Sequence, residues 1–233
     1  MAVEVPGTLV GTGRSADVYD IGSGRVLRRY RDGRDAGRVE REVQVMAHAR
    51  AFGVPVPEVF DVSGPDIVME RAAGPTMLDF VGRRLWTVRA AARSLARIHG
   101  LVHRVPASGL ALPCFGAIES GDSDVLLHRD LHPENVILTP NGPVLIDWEG
   151  AARGPAIADV AMTWVIIGFS GIPRQGLEAV VVRGVQQIFT RSFVRAAGPI
   201  DDEWRLTAIR QRLADPHLLP SEVARLERLA AAQ

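Results

Sequence analysis

The chain has 233 residues, of which 47% are hydrophobic and 23% are charged, so it can bury the core of one large domain or of two small lobes. This composition excludes a disordered or collagen-like chain, and the balance of 27 basic with 27 acidic residues argues against general binding of nucleic acid, which needs a strongly basic face. All 27 basic residues are arginine, so any site that ordinarily uses lysine must use another residue here.

The cysteine content and the apolar stretches predict a cytoplasmic protein that does not enter a membrane. Cys114 is the single cysteine, which excludes a disulfide within the chain and suits a reducing compartment. The first residues show no cationic region followed by an apolar run, as a secretion signal would. The longest apolar stretch, Val160–Ile172, is shorter than the roughly 20 residues that span a bilayer and is typical of a buried helix.

Short β-rich runs separated by glycine turns occupy the chain up to about residue 70. Apolar residues alternate on both sides of the tight turn Gly22–Gly24, as in a β-hairpin, and a polar helix that ends near Gly53 follows. Together these runs predict an antiparallel sheet with one helix. The predicted strands are 9–10, 17–21, 25–30, 58–62 and 67–69, and the predicted helix is 36–51.

From Thr76 onward the pattern becomes mostly helical. The strongest amphipathic helix is predicted at 87–102, where His99 is expected in the core, and His103, just beyond, is expected at the surface. A hairpin is predicted around Asn141–Gly142, and further helices are predicted at 157–169, 176–197, 201–214 and 221–231. The whole pattern is α+β: a small β-rich N-terminal lobe at 1–73, a hinge at 70–74, and a larger, mostly helical C-terminal lobe at 74–233.

The first candidate motif is Gly11-Thr12-Gly13-Arg14-Ser15-Ala16, which lies between two predicted strands. Small residues let backbone N–H groups approach a polyphosphate closely. The segment has neither the Walker sequence nor the last glycine of GxGxxG, so a plain hairpin turn fits it about as well.

The second motif is His128-Arg-Asp-Leu-His-Pro-Glu-Asn135, which fits H-R-D-x-x-x-x-N. Phosphoryl transfer needs a carboxylate beside the attacking hydroxyl, and an amide oxygen helps to hold a metal ion on the phosphates. The spacing of Asp130 and Asn135 allows one short loop to aim both side chains at a common point. This pattern indicates phosphoryl transfer.

The third motif, Val144-Leu-Ile-Asp147-Trp-Glu-Gly150, follows Asn135 across the predicted hairpin. A hydrophobic strand that ends in a carboxylate suits Mg²⁺, which takes one or two carboxylates together with phosphate oxygens. Asp147 is therefore a candidate metal ligand.

These residues resemble the protein-kinase-like superfamily, and in particular its aminoglycoside phosphotransferase and choline kinase branch. The resemblance covers nearly all of residues 7–165. The elements LHP (131–133), IDWE (146–149), VERE (39–42) and DVA (159–161) match that branch, whereas HRDL (128–131) and PEN (133–135) also match protein kinases. The resemblance implies a bilobal protein-kinase-like fold with a cleft between the lobes, ATP (or GTP) and Mg²⁺ as cofactors, and transfer of the γ-phosphate to a hydroxyl of a small molecule.

The resemblance also implies a role for each matching position. Asp130 is the catalytic base and Asp159 braces its loop from behind. Arg28 stands where the family has its phosphate-pairing lysine, with Glu42 as its ion-pair partner. The remaining implied contacts are Gly11, Thr12, Gly13, Arg14 and Ser15 on the nucleotide phosphates, Met69 at the gatekeeper position, the Glu70 carbonyl and Ala72 N–H on the adenine edge, and Asn135 and Asp147 on Mg²⁺.

Arg28 is the main departure from the family pattern, and it keeps alternatives open. A planar guanidinium is not equivalent to a compact ammonium at a tight phosphate site, so a nucleotide-binding protein without activity is one alternative. The absence of lysine throughout the chain favours an active site adapted to arginine. A protein Ser/Thr kinase is the other alternative, but only eleven residues separate Asp147 from Asp159, and no A-P-E follows.

The acceptor is expected to be a small molecule with a hydroxyl group. Aminoglycosides are polycations that need clustered carboxylates, and after Gly150 the chain has more arginine than acidic residues. Asp201-Asp202-Glu203 is the one acidic cluster of that region. This disfavours an aminoglycoside and leaves sugars, nucleosides, other antibiotics and metabolites open.

Overall fold

The computed structural model describes residues 7–13, 15–31, 36–115, 124–171 and 176–231. The chain forms two compact units, the first from Met1–Gly74 with Ile137–Glu149, the second from Pro75–Val136 with Gly150–Gln233. The segment Ile137–Glu149 is thus part of the first unit, although it lies within the range 74–233 of the predicted C-terminal lobe.

The described elements follow the predicted order of a β-rich region with one main helix and then a mostly helical region, which confirms the predicted fold class. The strands are β1 (Thr8–Thr12), β2 (Ala16–Gly22), β3 (Arg25–Tyr30), β4 (Val59–Ser63), β5 (Asp66–Glu70), β6 (Val125–Leu127), β7 (Val136–Thr139), β8 (Gly142–Leu145) and β9 (Ala152–Gly154). The helices are α1 (Ala36–Ala51), α2 (Met77–Arg83), α3 (Val88–Val102), α4 (Ala156–Phe169), α5 (Gly176–Ala197), α6 (Asp202–Leu213) and α7 (Pro220–Ala230). Single 3₁₀ turns lie at Leu85–Thr87, Pro133–Asn135 and Trp148–Gly150.

The first unit is built on a five-stranded antiparallel sheet in the order β1-β2-β3-β5-β4. The turn between β2 and β3 has positive φ at Gly22, Ser23 and Gly24, a conformation that glycine adopts without steric cost. β3 is an inner strand, paired with β2 on one side and β5 on the other, so Arg28 lies in the middle of the sheet.

Helix α1 turns one face toward the core of the first unit. Its buried residues recur every three or four positions, which is the spacing of one helical face. They are Val39, Glu42, Val45, Met46 and Ala49. Glu42 lies among apolar neighbours on this face, so its carboxylate needs a partner inside the protein.

Two backbone contacts fix the β7–β8 hairpin in the first unit. The Leu145 N–H donates to the Pro55 carbonyl at 2.8 Å. Gly74 lies so close to the hairpin that a Cβ atom at this position would be 2.1 Å from the Leu138 carbonyl oxygen. These contacts hold the hairpin in place, and Asp147 lies two residues beyond the end of β8.

The second unit is organised around α4. Its residues from Ala158 to Ile166 are buried, apart from Trp164, as expected of a helix that is apolar on all sides. Helices α5 and α6 pack against α4, and α3 packs against α5. The short strands β6 and β9 pair in antiparallel fashion and flank the loop that contains Asp130. None of the helices in the described part of the chain combines the length and apolarity needed to cross a membrane.

The close approach of Gly74 to Leu138 predicts that Gly74→Ala destabilises the protein. The added methyl group meets backbone atoms that cannot rotate away, and such overpacking costs about 1–3 kcal/mol. Gly82→Ala in α2 is the matched control, because a Cβ atom there meets nothing within 4 Å and alanine favours a helix by about 0.5–1 kcal/mol. Thermal unfolding of the two variants measures the difference, and equal stability would contradict the close contact.

Candidate functional site

The candidate residues form two groups, one in each unit. In the first unit, Gly11 and Thr12 end β1, and the Gly13 N–H donates to the Ala16 carbonyl at 2.8 Å, which closes a tight turn into β2. The Ser15 hydroxyl donates to Glu149 Oε2 at 3.3 Å. Arg14 lies outside the described residues. The segment is thus a hairpin turn, and its contact with nucleotide phosphates stays a prediction.

Arg28 bridges two carboxylates with the two arms of its guanidinium. Nη1 donates to Glu42 Oε1 and Nη2 donates to Asp147 Oδ1, each at 2.7 Å. The guanidinium also lies over the Tyr30 ring at 4.8 Å, and the Tyr30 hydroxyl donates to the second oxygen of Glu42. The predicted pair between Arg28 and Glu42 is therefore present, and Asp147 joins it.

Burial and charge act in opposite directions on the Arg28 guanidinium, whereas burial and the nearby carboxylate act together on the Tyr30 hydroxyl. Burial alone would lower the pKa of Arg28, but the carboxylates of Glu42 and Asp147 outweigh it and raise that pKa, so Arg28 stays charged. Burial is also the main cause that raises the pKa of the Tyr30 hydroxyl, with the carboxylate of Glu42 acting in the same direction, so Tyr30 stays a neutral donor. The cluster is a cation held between two anions by charge-assisted hydrogen bonds.

Asp147 has a backbone conformation that few non-glycine residues adopt, with φ at +67°. Its side chain is 39% exposed, whereas those of Arg28 and Glu42 are 12% and 1% exposed. Asp147 Oδ1 accepts from Arg28, and Oδ2 accepts no hydrogen bond among the described residues. One carboxylate oxygen of Asp147 therefore remains available to a cation.

The residues predicted to hold the adenine edge follow one another at the end of β5. Met69 is buried, Glu70 is exposed, and Ala72 is half-buried. The Arg71 N–H donates to the Gly24 carbonyl, whereas the Ala72 N–H donates no hydrogen bond within the described ranges. An unused N–H at Ala72 is compatible with the predicted adenine contact, which stays a prediction.

In the second unit, the loop between β6 and β7 brings Asp130 and Asn135 together. Asn135 Nδ2 donates to the Asp130 carbonyl at 2.8 Å and to Asp130 Oδ2 at 3.2 Å. The one-turn 3₁₀ helix Pro133–Asn135, capped by the His132 side chain, sets the spacing between the two residues. The Asn135 amide oxygen accepts no hydrogen bond in the described structure, so it too remains available to a cation.

The surroundings of Asp130 keep its carboxylate ionised. Partial burial would raise its pKa, but the hydrogen bond and charge of His132, followed by the charges of His128 and Arg212, lower that pKa below its usual value. The side chain of Asp130 is 42% exposed, so a substrate can reach it. An ionised, accessible carboxylate can accept a proton at neutral pH.

Asp159 of α4 holds the backbone just before Asp130. Its carboxylate accepts the N–H of Arg129 at 2.6 Å and the N–H of His128 at 3.1 Å. Arg129 has φ at +68°, and these charge-assisted bonds stabilise that left-handed conformation. The implied position of Asp159 behind the loop is therefore observed.

Several residues at these clusters were not identified from the sequence. The expectation that His103 lies at the surface was wrong: its side chain is 10% exposed and its Nε2 lies 3.1 Å from Asp159 Oδ2. Tyr30 and Thr163 were not singled out, although both are buried polar residues that contact site residues. Spacing offers a signal for two of them, because Tyr30 lies two positions from Arg28 on the same strand face, and Thr163 lies one helical turn after Asp159.

The model of a phosphotransferase enzyme family, APH, matches this chain over residues 7–119 and 111–197. A probable bifunctional tRNA threonylcarbamoyladenosine biosynthesis protein from Methanoculleus marisnigri is 29% identical over 150 residues, which cover 59% of this chain and 24% of that protein. Calcium-dependent protein kinase 26 from Oryza sativa subsp. japonica is 33% identical over 116 residues, which cover 46% of this chain and 18% of that kinase. The chain therefore spans only about a quarter or less of these relatives' length.

Solved structures match the chain over most of its length at low identity. The amicoumacin kinase hAmiN, in complex with AMP-PNP, Ca²⁺ and Ami, has a TM-score of 0.55 at 15% identity and covers 97% of this chain and 87% of its own. The streptomycin-ATP-APH(2'')-IIa complex has a TM-score of 0.59 at 14% identity, with coverage of 95% and 90%. A choline/ethanolamine kinase family protein from Mesorhizobium loti has a TM-score of 0.53 at 18% identity, with coverage of 97% and 88%. These likenesses show the fold.

The buried cluster in the first unit predicts a large loss of stability for Arg28→Met. The substitution keeps an aliphatic side chain but leaves the buried Glu42 carboxylate without its cation, which typically costs about 3–5 kcal/mol. Arg29→Met on the same strand is the control, because the pair of Arg29 with Asp66 is more exposed and such pairs contribute about 1 kcal/mol or less. Urea unfolding measures both changes, and similar losses for the two variants would contradict a buried role for Arg28.

Proposed function

The chain belongs to the phosphotransferase enzyme family, and we propose that it transfers the γ-phosphate of ATP to a hydroxyl group of a small molecule, with Asp130 as the catalytic base. The single observation that carries this proposal is the loop around Asp130. Its carboxylate is ionised and accessible, and the neighbouring backbone is fixed in a strained conformation by Asp159. Such strain is found where a side chain must be aimed, as in a catalytic site.

Asp130 would accept the proton of the attacking hydroxyl as its oxygen bonds to the γ-phosphorus and the bond from that phosphorus to the leaving ADP breaks. Asn135 Nδ2 donates to the Asp130 carbonyl and to Asp130 Oδ2, and these hydrogen bonds fix the orientation of the carboxylate. His132 Nε2 lies 3.5 Å from Asp130 Oδ1 and adds a second neighbour on the other oxygen. Orientation of this kind places a reacting group without further reorganisation in the transition state.

Magnesium fits the donor atoms that the chain leaves unused. Asn135 in the second unit and Asp147 in the first unit each have one oxygen without a hydrogen bond in the described structure, and Mg²⁺ prefers such hard oxygen ligands. Each of these residues is a candidate ligand of the ion, which neutralises the charge that develops on the phosphates. Arg28, held between Glu42 and Asp147, would offer its positive charge to the phosphates in place of the family's lysine.

A small-molecule acceptor is favoured over a peptide by the segment that follows Asp147. In this segment the 3₁₀ turn Trp148–Gly150 leads to β9, and α4 begins at Ala156. No long loop lies between Asp147 and α4 to support an extended peptide. The match to a calcium-dependent protein kinase makes peptide phosphorylation the second candidate. The assay described next therefore also includes a generic protein substrate.

Asp130→Asn is expected to lower phosphate transfer by about 10²–10⁴-fold, because an amide cannot accept the proton. The assay incubates the protein with Mg²⁺ and γ-labelled ATP or GTP over a panel of sugars, nucleosides, aminoglycosides and other hydroxyl compounds. Nucleotide binding, followed by thermal shift, should stay close to that of the wild type. Asp61→Asn, at an exposed position of β4, is the matched control and should keep full activity.

Two outcomes of this assay would be decisive, one for the variant and one for the wild type. Wild-type turnover in this variant would show that Asp130 is not the base. A wild-type protein that binds nucleotide but transfers phosphate to no acceptor would favour the inactive nucleotide-binding alternative.

Arg28→Lys tests whether the cluster is adapted to arginine. A lysine ammonium lacks the planar fork that reaches Glu42 and Asp147 together, so activity should equal or fall below that of the wild type. Steady-state kinetics with varied MgATP measures the effect, and Arg29→Lys, on the opposite face of β3, is the control. A large gain in activity from Arg28→Lys would instead show that the natural protein is impaired by its arginine.

A further inference from the structure

The backbone on both sides of Asp130 is held by two side chains of α4. Asp159 accepts the N–H groups of His128 and Arg129, as described above. One helical turn later, the Thr163 hydroxyl donates to the Leu131 carbonyl at 2.8 Å. Because residues four apart lie on the same face of a helix, α4 presents an acceptor and a donor to one loop.

Two histidines of the α3 region contact these same side chains. His103 Nε2 lies 3.1 Å from Asp159 Oδ2, and His99 Nε2 lies 3.0 Å from Thr163 Oγ1. His99 and His103 are also four residues apart, so their rings lie one turn apart, tilted to one another, with centroids separated by 5.3 Å. The loop, α4 and α3 are therefore joined by two parallel rungs of hydrogen bonds, a polar ladder made of His99, His103, Asp159 and Thr163.

The hydrogen-bond donors in the ladder follow from its connectivity. The one hydroxyl hydrogen of Thr163 is used on the Leu131 carbonyl, so Thr163 Oγ1 accepts from His99 Nε2–H. Burial lowers the pKa of His99, which keeps its ring neutral and leaves Nδ1 without a hydrogen. Accordingly, His99 Nδ1 makes no hydrogen bond and lies 3.6 Å from Asp159 Oδ2.

His103 is the direct donor to the Asp159 carboxylate. Burial alone would raise the pKa of Asp159, but the hydrogen bond from His103, whose Nε2 lies 3.1 Å from Oδ2, and the neighbouring imidazole of His99 lower it well below its usual value. Asp159 therefore carries a full charge in a buried position, which strengthens its bonds to the two loop N–H groups. Removing the His103 donor would weaken the acceptor that holds the Arg129 backbone at positive φ.

Both carboxylate oxygens of Asp159 accept hydrogen bonds in this network. Oδ2 accepts from both the His128 N–H and His103, and Oδ1 accepts from the Arg129 N–H. The two imidazoles and this carboxylate have the composition of a zinc site. A metal ion would have to displace the hydrogen that His103 donates.

We propose that His103 is a positioning residue for Asp130: through Asp159 it fixes the backbone of His128 and Arg129, and so it sets the direction of the catalytic carboxylate. Thr163, held by His99, fixes the other side of Asp130 at Leu131. The proposal rests on the proposed function, since it takes Asp130 as the base. It goes beyond that function by assigning a catalytic consequence to His103, the residue that directly follows α3.

The first test measures the ladder without reference to activity. His103→Leu fills the space of the ring but donates no hydrogen bond, whereas His103→Gln keeps an N–H donor. Amide hydrogen exchange, followed by NMR, should show the N–H groups of His128 and Arg129 exchanging at least about 10-fold faster in His103→Leu than in the wild type. His103→Gln and the exposed α3 control Arg97→Ala should retain most of the protection.

The second test measures the consequence for catalysis. We expect His103→Leu to lower kcat by about 10-fold, as loss of a supporting hydrogen bond typically does, with KM for MgATP changed less than about twofold. His103→Gln should restore kcat to within about threefold of the wild type. The assay uses MgATP with the best hydroxyl compound of the panel, or with water as the acceptor.

The two tests separate failure of the proposal from failure of the proposed function. Wild-type protection and wild-type kcat in His103→Leu would overturn the positioning role, because packing alone would then suffice. If the wild type transfers no phosphate at all, the proposed function fails, and unchanged exchange in His103→Leu would overturn the ladder independently. If His103→Leu does not fold, His103→Met takes its place, since methionine also fills space without donating a hydrogen bond. Wild-type protection of the His128 and Arg129 N–H groups together with undiminished kcat in that variant overturns the positioning role as well.

Discussion

The candidate site in the first unit depends on Arg28, whose guanidinium bridges the carboxylates of Glu42 and Asp147. Glu42 is buried because it lies on the apolar face of α1, and an unpaired buried carboxylate would destabilise the unit strongly. A guanidinium has two terminal nitrogens that can donate to different acceptors. One cation can therefore neutralise the buried carboxylate of Glu42 and orient the more exposed carboxylate of Asp147. An ammonium has no such fixed pair of donors, so the geometry of this cluster favours arginine independently of the absence of lysine from the chain.

Both candidate catalytic motifs contain a non-glycine residue in the left-handed region, and in both a buried charged side chain makes a hydrogen bond to that residue. Arg129, just before Asp130, is held by the Asp159 carboxylate, and Asp147 is held by the Arg28 guanidinium. Strained backbone of this kind persists only where surrounding contacts determine it. The two units therefore use the same physical device, a charge-assisted hydrogen bond, to aim a carboxylate.

Sequence patterns predicted the long elements and the motif residues, because periodicity and fixed spacing are properties of local sequence. The helices α1, α3, α4, α5, α6 and α7 and the strands β2 to β5 lie within a few residues of their predicted places. Helix α2 and the strands β6 and β9 were missed, since three to seven residues carry too little periodic pattern. The contact of Arg28 with Asp147 joins residues 119 positions apart, and no local pattern specifies such a pair.

His103 shows why the polar ladder could not be predicted. It follows the last apolar turn of α3, where a polar residue usually faces water, but its side chain is 10% exposed and contacts Asp159 of α4. A buried polar residue is recognised by its partners, and Asp159 lies 56 positions away. Tertiary contact thus reverses the expectation that local sequence supports.

The acidic residues of the second unit bear on the acceptor, because a polycationic acceptor needs carboxylates that are not already engaged. After Gly150 several of them have structural partners in the described residues: Asp159 holds the loop, Asp201 caps α6 at the Trp204 N–H, Asp202 pairs with Arg205, Asp215 pairs with Arg212, and Glu222 accepts from the Gly171 and Leu219 N–H groups. The Asp201–Glu203 cluster is thus largely occupied in starting a helix. Two aromatic rings of α4 also contact cations, since Arg205 lies over the Trp164 ring and Arg225 over the Phe169 ring. This balance agrees with the expectation that the acceptor is not an aminoglycoside, which stays a prediction, because guanidinium groups repel a polycation and attract phosphate, carboxylate or hydroxyl oxygens.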